Sequence, residues 1–206
     1  MSDFGLYIII SDPVLPYDKI AEICVEEEIE MLQLRAKKLS DQEVLSIGNT
    51  INSIIQDSKT KLIINDRPDL AMLIGADGYH LGQDDLSLQD GEKLYPNAKI
   101  RGLSTHNLQQ VNTAILNKPD YIGFGPIYAT PTKENPDPVV GTEKLRSIIS
   151  LVNMPVVAIG GIDESNIEKV LQTGVKNIAM VRYFMQSHNL KDKIQRIKAI
   201  CEQYWR

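Results

Sequence analysis

The chain has 206 residues, 43% hydrophobic and 24% charged, with 13 Gly and 10 Pro, a globular composition that excludes wholesale disorder and fibrous repeats. Twenty-two Lys and Arg against 27 Asp and Glu leave a net charge of −5, which argues against nucleic acid or an anionic membrane as the partner. Cys24 and Cys201 lie far apart, each in a predicted helix, so no disulfide framework is indicated and a cytoplasmic setting is expected.

In chain order, the opening MSDFGLYIIISD is expected to be neither a signal peptide nor a membrane span, because its apolar run is short and acids come early. Short apolar runs predict strands at 6–10, 31–34, 61–64, 78–81, 99–103, 121–124, 156–159 and 177–181. Continuous runs such as Val156-Val157-Ala158-Ile159 suit strands buried on both faces, as in a parallel sheet. Helical segments alternate with them. They fit near 18–28, from a Ser40–Glu43 capping box through Ile55, and near 68–74 and 88–95. Others follow Asn107, span 142–151, run from Ile167 to a stop at Gly174, and close the chain from Leu190 to Tyr204. Eight strand–helix units in one domain, residues 1–206, predict a (β/α)8 TIM barrel. A doubly wound sheet is the rival, but no GxGxxG or Walker A turn follows a strand.

Such a barrel works at the carboxyl ends of its strands, so the residues after each run carry the functional reading. In 33–37, strand alternation sets Gln33, Arg35 and Lys37 on one side, where an amide and two cations need an anion to meet them. Arg offers phosphate a bidentate fork and Lys a point charge. Asn65-Asp66-Arg67-Pro68 places Asp66 in a strand-to-helix turn, either as a helix cap or facing a ligand. His80-Leu81-Gly82-Gln83-Asp84-Asp85 adds a dense polar loop, in which His80 either serves the site or satisfies a backbone carbonyl. Asp66 and Asp85, hard oxygen donors on adjacent loops, suit Mg2+ in company with a substrate phosphate. Ser104-Thr105-His106 has no acid partner and makes no hydrolase triad.

The longest loop follows the sixth strand and continues through Gly141; it is expected to be a lid whose Thr130, Thr132 and Lys133 grip phosphate on closing. Gly160-Gly161 and the helix after it form the phosphate position usual in these barrels, with Arg182 adding charge or lying along the rim. Two anion sites result. One joins Arg35, Lys37 and Lys133 to a metal on Asp66 and Asp85; the other is the Gly160-Gly161 turn beside strand eight. Two phosphate-bearing substrates, or one long one, account for both.

The motifs QLRAK at 33–37, NDRPDLA at 65–71, GADGYHLGQDD at 75–85, STH at 104–106, YIGFGPIYATPTK at 121–133 and AIGGI at 158–162 resemble those of the thiamine phosphate synthase/TenI superfamily, in order and over nearly the whole chain. The resemblance implies a (β/α)8 barrel that joins 4-amino-5-hydroxymethyl-2-methylpyrimidine diphosphate to a thiazole phosphate, releasing pyrophosphate and yielding thiamine phosphate. It implies Mg2+ on Asp66 and Asp85, and pyrophosphate on Arg35, Lys37, Asn65 and Lys133 with Ser104 close by. Gln33 and His80 would contact the pyrimidine, and Thr130 and Thr132 the thiazole phosphate, seated against Gly161. The implied mechanism is dissociative and needs no protein nucleophile. A homo-oligomer is compatible with it.

One stretch departs from the pattern. The family follows strand eight with small residues of the type VVSAI; here Val181-Arg182-Tyr183-Phe184 stand instead, and Arg182 either supplies charge or narrows the pocket. TenI-like relatives offer alternatives: a thiazole tautomerase, with His106 as acid/base, or a non-catalytic phosphate-binding regulator. Retention of QLRAK, NDR, GQDD and TPTK favours the synthase.

Overall fold

A computed structural model describes residues 2–130 and 137–205. Its eight strands are β1 (Gly5–Ile10), β2 (Met31–Leu34), β3 (Lys61–Asn65), β4 (Gly78–Leu81), β5 (Ile100–Thr105), β6 (Tyr121–Phe124), β7 (Val156–Ile159) and β8 (Asn177–Met180). All neighbours pair in parallel and β8 returns to β1, closing a barrel of the expected class. The intervening helices are α1 (Tyr17–Glu26), α2 (Asp41–Ile55), α3 (Pro68–Ile74), α4 (Leu88–Leu94), α5 (Leu108–Asn117), α6 (Gly141–Leu151) and α7 (Ile167–Leu171). After β8 come α8 (Arg182–Met185) and α9 (Leu190–Cys201).

Local chemistry accounts for the boundaries. The Ser40 hydroxyl accepts from the Glu43 N–H while the Glu43 carboxylate takes the Ser40 N–H, the capping box expected at the start of α2. Pro68 opens α3 and Gly75, at φ +70°, ends it. Asn107 caps α5 through the Gln110 N–H. Cys24 and Cys201 are buried free thiols on α1 and α9.

Two differences from the sequence reading concern the end of the chain. β8 stops at Met180, because Val181 leaves the ladder and caps the extra helix α8. The last helix ends at Cys201 rather than running to Tyr204.

The two faces of each strand separate two cores. Leu6, Ile8, Leu32, Ile64, Ile122 and Ile178 pack outward under the helices. Tyr7, Ile9, Met31, Ile63, Tyr121, Val157 and Ala179 fill the lumen, with Phe4 plugging the amino end edge-on to both tyrosines. Asn177 holds the β8–β1 seam there: its Oδ1 accepts from the N–H groups of Phe4 (2.8 Å) and Gly5 (3.2 Å), and its Nδ2 donates to Asp3 (2.8 Å).

Asn177 is buried, so Asn177→Ala leaves the Phe4 N–H without an acceptor, at a cost of about 2 kcal/mol. For a chain of this size that lowers Tm by about 4–8 °C, measured by thermal melting. An unchanged Tm would contradict this account of the seam.

Candidate active site at the carboxyl mouth of the barrel

At β2 the inward register runs through Met31 and Gln33 to Arg35, just past the strand end. The Arg35 N–H still bonds Ile10 C=O (2.9 Å), and its guanidinium donates to Ser11 Oγ (2.9 Å), which holds it at the β1–β2 edge of the mouth. Lys37 follows in the turn, more than half exposed, with its ammonium 2.8 Å from Asp66 Oδ2.

Asp66 sits in the β3–α3 turn with φ +62°, a left-handed conformation that costs an ordinary residue about 1–2 kcal/mol and that Asp tolerates better than most. Its N–H bonds His80 C=O at 2.8 Å, extending the β3–β4 pairing by one residue. Arg67 locks the turn from behind, with paired bonds to Asp41 (2.6 and 3.0 Å) and Asp69 (2.9 and 2.7 Å). The cap position of α3 is Arg67, and no side chain caps the helix, so Asp66 is left for other work.

Asp85 arrives on the next loop, where its Oδ2 accepts the Gly82 N–H at 2.6 Å. Asp66 and Asp85 share an open cleft of about 520 Å³, lined also by Arg67, Asp69, Asp84 and Leu86. Burial first, then the adjoining Asp66 carboxyl, push the Asp85 carboxyl above the usual carboxylate range; the Gly82 N–H and the Lys37 charge oppose this. Two adjoining carboxyls, beside a single lysine, form a set short of positive charge. Hard oxygen donors in that state fit a divalent cation such as Mg2+, which takes few protein carboxylates and completes its shell with water and phosphate oxygens. Among the described residues no cluster of three or more His, Cys, Asp or Glu side chains suits a metal, so this pair is not part of a richer cage.

The floor of the mouth is a polar chain across the lumen. Gln33 Nε2 donates to the Tyr7 hydroxyl (2.7 Å), which lies 2.9 Å from the Tyr121 hydroxyl. That hydroxyl lies 2.9 Å from His80 Nδ1, and His80 Nε2 lies 2.8 Å from Ser104 Oγ. The His80 and Tyr121 rings stack with centroids 5.4 Å apart. Gly102 on β5 makes room: a Cβ there would lie 2.4 Å from both His80 Nδ1 and the Tyr121 oxygen. Asn65, at the end of β3, pairs with His80 in the register and makes no side-chain hydrogen bond among the described residues. Gln33, Asn65, His80 and Ser104 are thus gathered around one opening. Tyr7 and Tyr121 join them although the sequence reading did not single them out; an aromatic within an apolar run reads as core, and only the inward register shows the hydroxyls.

The second anion position is built differently from expectation. Gly160 and Gly161 have φ +100° and +65°, and a Cβ on Gly161 would come within 2.6 Å of Ala129 C=O. The glycines therefore let the segment after β6 lie against the exit of β7, where the Tyr128 N–H bonds Gly160 C=O at 3.0 Å, and bring Thr130 into the neighbourhood. However, α7 begins only at Ile167 and is one short helix, so its N-terminus does not stand at the glycine turn; Asn166 closes that turn by donating to Gly161 C=O at 2.9 Å. Arg182 opens α8 at the exit of β8. It is exposed, and its guanidinium makes no hydrogen bond or ion pair among the described residues. Tyr183 does not fill the mouth: its hydroxyl donates to Glu164 (2.6 Å), and the Lys193 ammonium lies 4.1 Å over its ring. Thr132 and Lys133, and the central part of the expected lid, lie outside the described residues. His106 is mostly buried; its Nδ1 donates to Gly125 C=O (2.6 Å) and its Nε2 lies 3.3 Å from Asp137. Both ring nitrogens are engaged, which does not favour a free proton shuttle.

The raised Asp85 pKa means that folding disfavours its charged form, so Asp85 supports the metal-free fold at low pH and loses that support as pH rises through its folded value. Asp85→Asn is expected to raise Tm at neutral pH by about 2–4 °C for each kcal/mol relieved. Added Mg2+ should raise Tm of the parent protein and leave the variant where it is. A variant that melts below the metal-free parent would contradict the like-charge account.

Comparison with known proteins shows the family. The family model described as thiamine monophosphate synthase matches residues 6–184. The thiamine-phosphate synthase of Persephonella marina is 37% identical over 207 aligned residues, covering 98% of each chain. That of Halalkalibacterium halodurans is 36% identical with the same coverage. Among solved structures, the thiamine phosphate pyrophosphorylase from Pyrococcus furiosus superposes with a TM-score of 0.89 at 30% identity, covering 98% of this chain and 97% of that one. The chain belongs to the thiamine monophosphate synthase family.

Proposed function

We propose that this barrel is a thiamine phosphate synthase: it condenses 4-amino-5-hydroxymethyl-2-methylpyrimidine diphosphate with a thiazole phosphate, forming thiamine phosphate and pyrophosphate. The observation that carries the site assignment is the meeting of Asp66 and Asp85, with Lys37 at 2.8 Å, beside the polar wall of Gln33, His80 and Ser104.

In this reading Asp66 and Asp85 hold Mg2+, which supplies charge neutralisation for a diphosphate leaving group. Arg35 and Lys37, with Asn65, grip the diphosphate oxygens; Lys37 exchanges its Asp66 partner for phosphate when substrate arrives. Lys133 is assigned to the same anion by the family resemblance. Gln33 and His80 orient the pyrimidine ring. The bond between the exocyclic methylene carbon and the diphosphate oxygen breaks with its electron pair going to the leaving group. The thiazole nitrogen then donates its lone pair to the pyrimidine carbocation, so no proton is lost from either ring and no protein base is required. The protein's contribution is positioning and fixed electrostatics.

The thiazole phosphate is assigned to the segment of Thr130, Gly160 and Gly161, with Thr132 by resemblance. Arg182 stands at that rim with a guanidinium that has no protein anion to satisfy among the described residues, in place of the family's small residue. It is assigned here as the charge partner of that phosphate, and Tyr183, turned toward Glu164 and Lys193, does not obstruct it.

With both substrates and Mg2+ present, the protein should release pyrophosphate and accumulate thiamine phosphate; no release at any Mg2+ concentration would reject the synthase. Asp85→Ala should lower turnover by about 100-fold or more, while His106→Ala keeps measurable turnover; the reverse ordering would favour a tautomerase. Arg182→Ala should raise KM for the thiazole phosphate about tenfold with kcat little changed. Binding of the thiazole phosphate with no turnover would mark a non-catalytic binder.

A further inference from the structure

The polar chain beneath the mouth has a direction. An amide nitrogen can only donate, so the Tyr7 oxygen is an acceptor on its Gln33 side, and its own proton goes to Tyr121. Tyr121 then gives its proton to His80 Nδ1. The ring carries its hydrogen on Nε2 and donates it to Ser104. In the reversed polarity His80 Nδ1–H donates to Tyr121 and Tyr121 to Tyr7, and the Tyr7 proton is left buried without an acceptor. Tyr7 and Tyr121 are both fully enclosed, and burial holds both phenols well above their ordinary pKa, so each keeps the proton the chain needs. Gly102 marks the chain as a built feature, since any side chain at that position would occupy the space where the His80 and Tyr121 atoms meet. With a lone pair engaged by Nε2–H, the Ser104 hydroxyl keeps a proton that the chain itself does not consume.

We propose that Tyr7 and Tyr121 are positioning residues that lock His80 in its Nε2–H tautomer and so turn the Ser104 hydroxyl into a hydrogen-bond donor for the departing diphosphate. This rests on the synthase reading for its last step only; the tautomer itself is a property of the ligand-free protein. Neither tyrosine touches substrate in this account. Each acts through the next hydroxyl or ring along the chain, in the way an outer partner fixes which nitrogen of a histidine carries hydrogen.

The test is nitrogen-15 NMR of the ligand-free protein, whose three histidines are His80, His106 and His188, with His106→Gln and His188→Gln used to assign the ring signals. His80 should show a protonated Nε2 and an unprotonated Nδ1. Tyr121→Phe removes the donor to Nδ1 and should convert this pattern to an exchanging mixture or to Nδ1–H. Tyr7→Phe cuts the chain one link earlier without touching His80, and is the second variant should Tyr121→Phe fold poorly. In turnover, Tyr121→Phe should lower kcat about tenfold with KM for the thiazole phosphate unchanged. The same change should add little in a Ser104→Ala background, because both act through one hydroxyl. An Nδ1–H tautomer in the parent protein, a His80 signal indifferent to both tyrosine variants, or losses that multiply in the double variant would overturn the proposal. A parent protein with the Nε2–H tautomer and no synthase turnover would overturn the functional reading instead, leaving the relay in place.

Discussion

The mouth of this barrel holds an electrostatic conflict. The β3 and β4 exits deliver Asp66 and Asp85 to one partly buried cleft, and burial together with the neighbouring carboxyl raises the proton affinity of Asp85. A protein with a net charge of −5 has no general positive field to relieve this, and Lys37 alone is one charge against two. The arrangement is held by the left-handed backbone at Asp66, the Arg67 clamp onto Asp41 and Asp69, and the Gly82 N–H on Asp85. Stored local strain and like charge are tolerable when a ligand resolves them, here a divalent cation carrying a diphosphate.

The closed parallel topology makes that convergence possible. Each strand contributes one or two inward residues at its carboxyl end, so Arg35, Asn65, His80 and Ser104, distant in sequence, gather within one opening. The lumen below is not a plain hydrophobic plug. Tyr7 and Tyr121 carry hydroxyls through it, and burial, which keeps them protonated, makes them useful as links rather than as acids. The barrel interior and the site are therefore one structure: the aromatic layer that stabilises the fold also sets the hydrogen-bond polarity at the mouth.

Much of this was legible in the amino-acid order, and the reasons differ by element. The strands were readable because parallel barrel strands are buried on both faces and appear as unbroken apolar runs, as at Val156–Ile159. The α2 and α3 boundaries were readable because Ser40, Glu43, Pro68 and Gly75 act locally. The carboxylate pair was readable because both residues lie in the loops that follow such runs. Less accessible were features that depend on distant partners. Tyr7 and Tyr121 look like core until the register turns them inward. The Arg67 clamp onto Asp41 and Asp69 depends on an acid 26 residues away and is not visible in the local sequence. The Gly160-Gly161 turn looks like a helix-dipole site, yet its glycines answer to the close approach of Ala129 and the helix begins later. Val181 looked like the last residue of a strand, and its role as the cap of α8 emerges only where that helix packs.

The central claim is that Asp66 and Asp85 form a cation-dependent diphosphate cradle. Titration calorimetry with inorganic pyrophosphate measures this directly, without either organic substrate. The account predicts binding in the presence of Mg2+, little binding in its absence, and loss of the Mg2+-dependent binding in Asp66→Asn and Asp85→Asn. Pyrophosphate that binds equally well with and without Mg2+, or that binds both variants as it binds the parent, would contradict it.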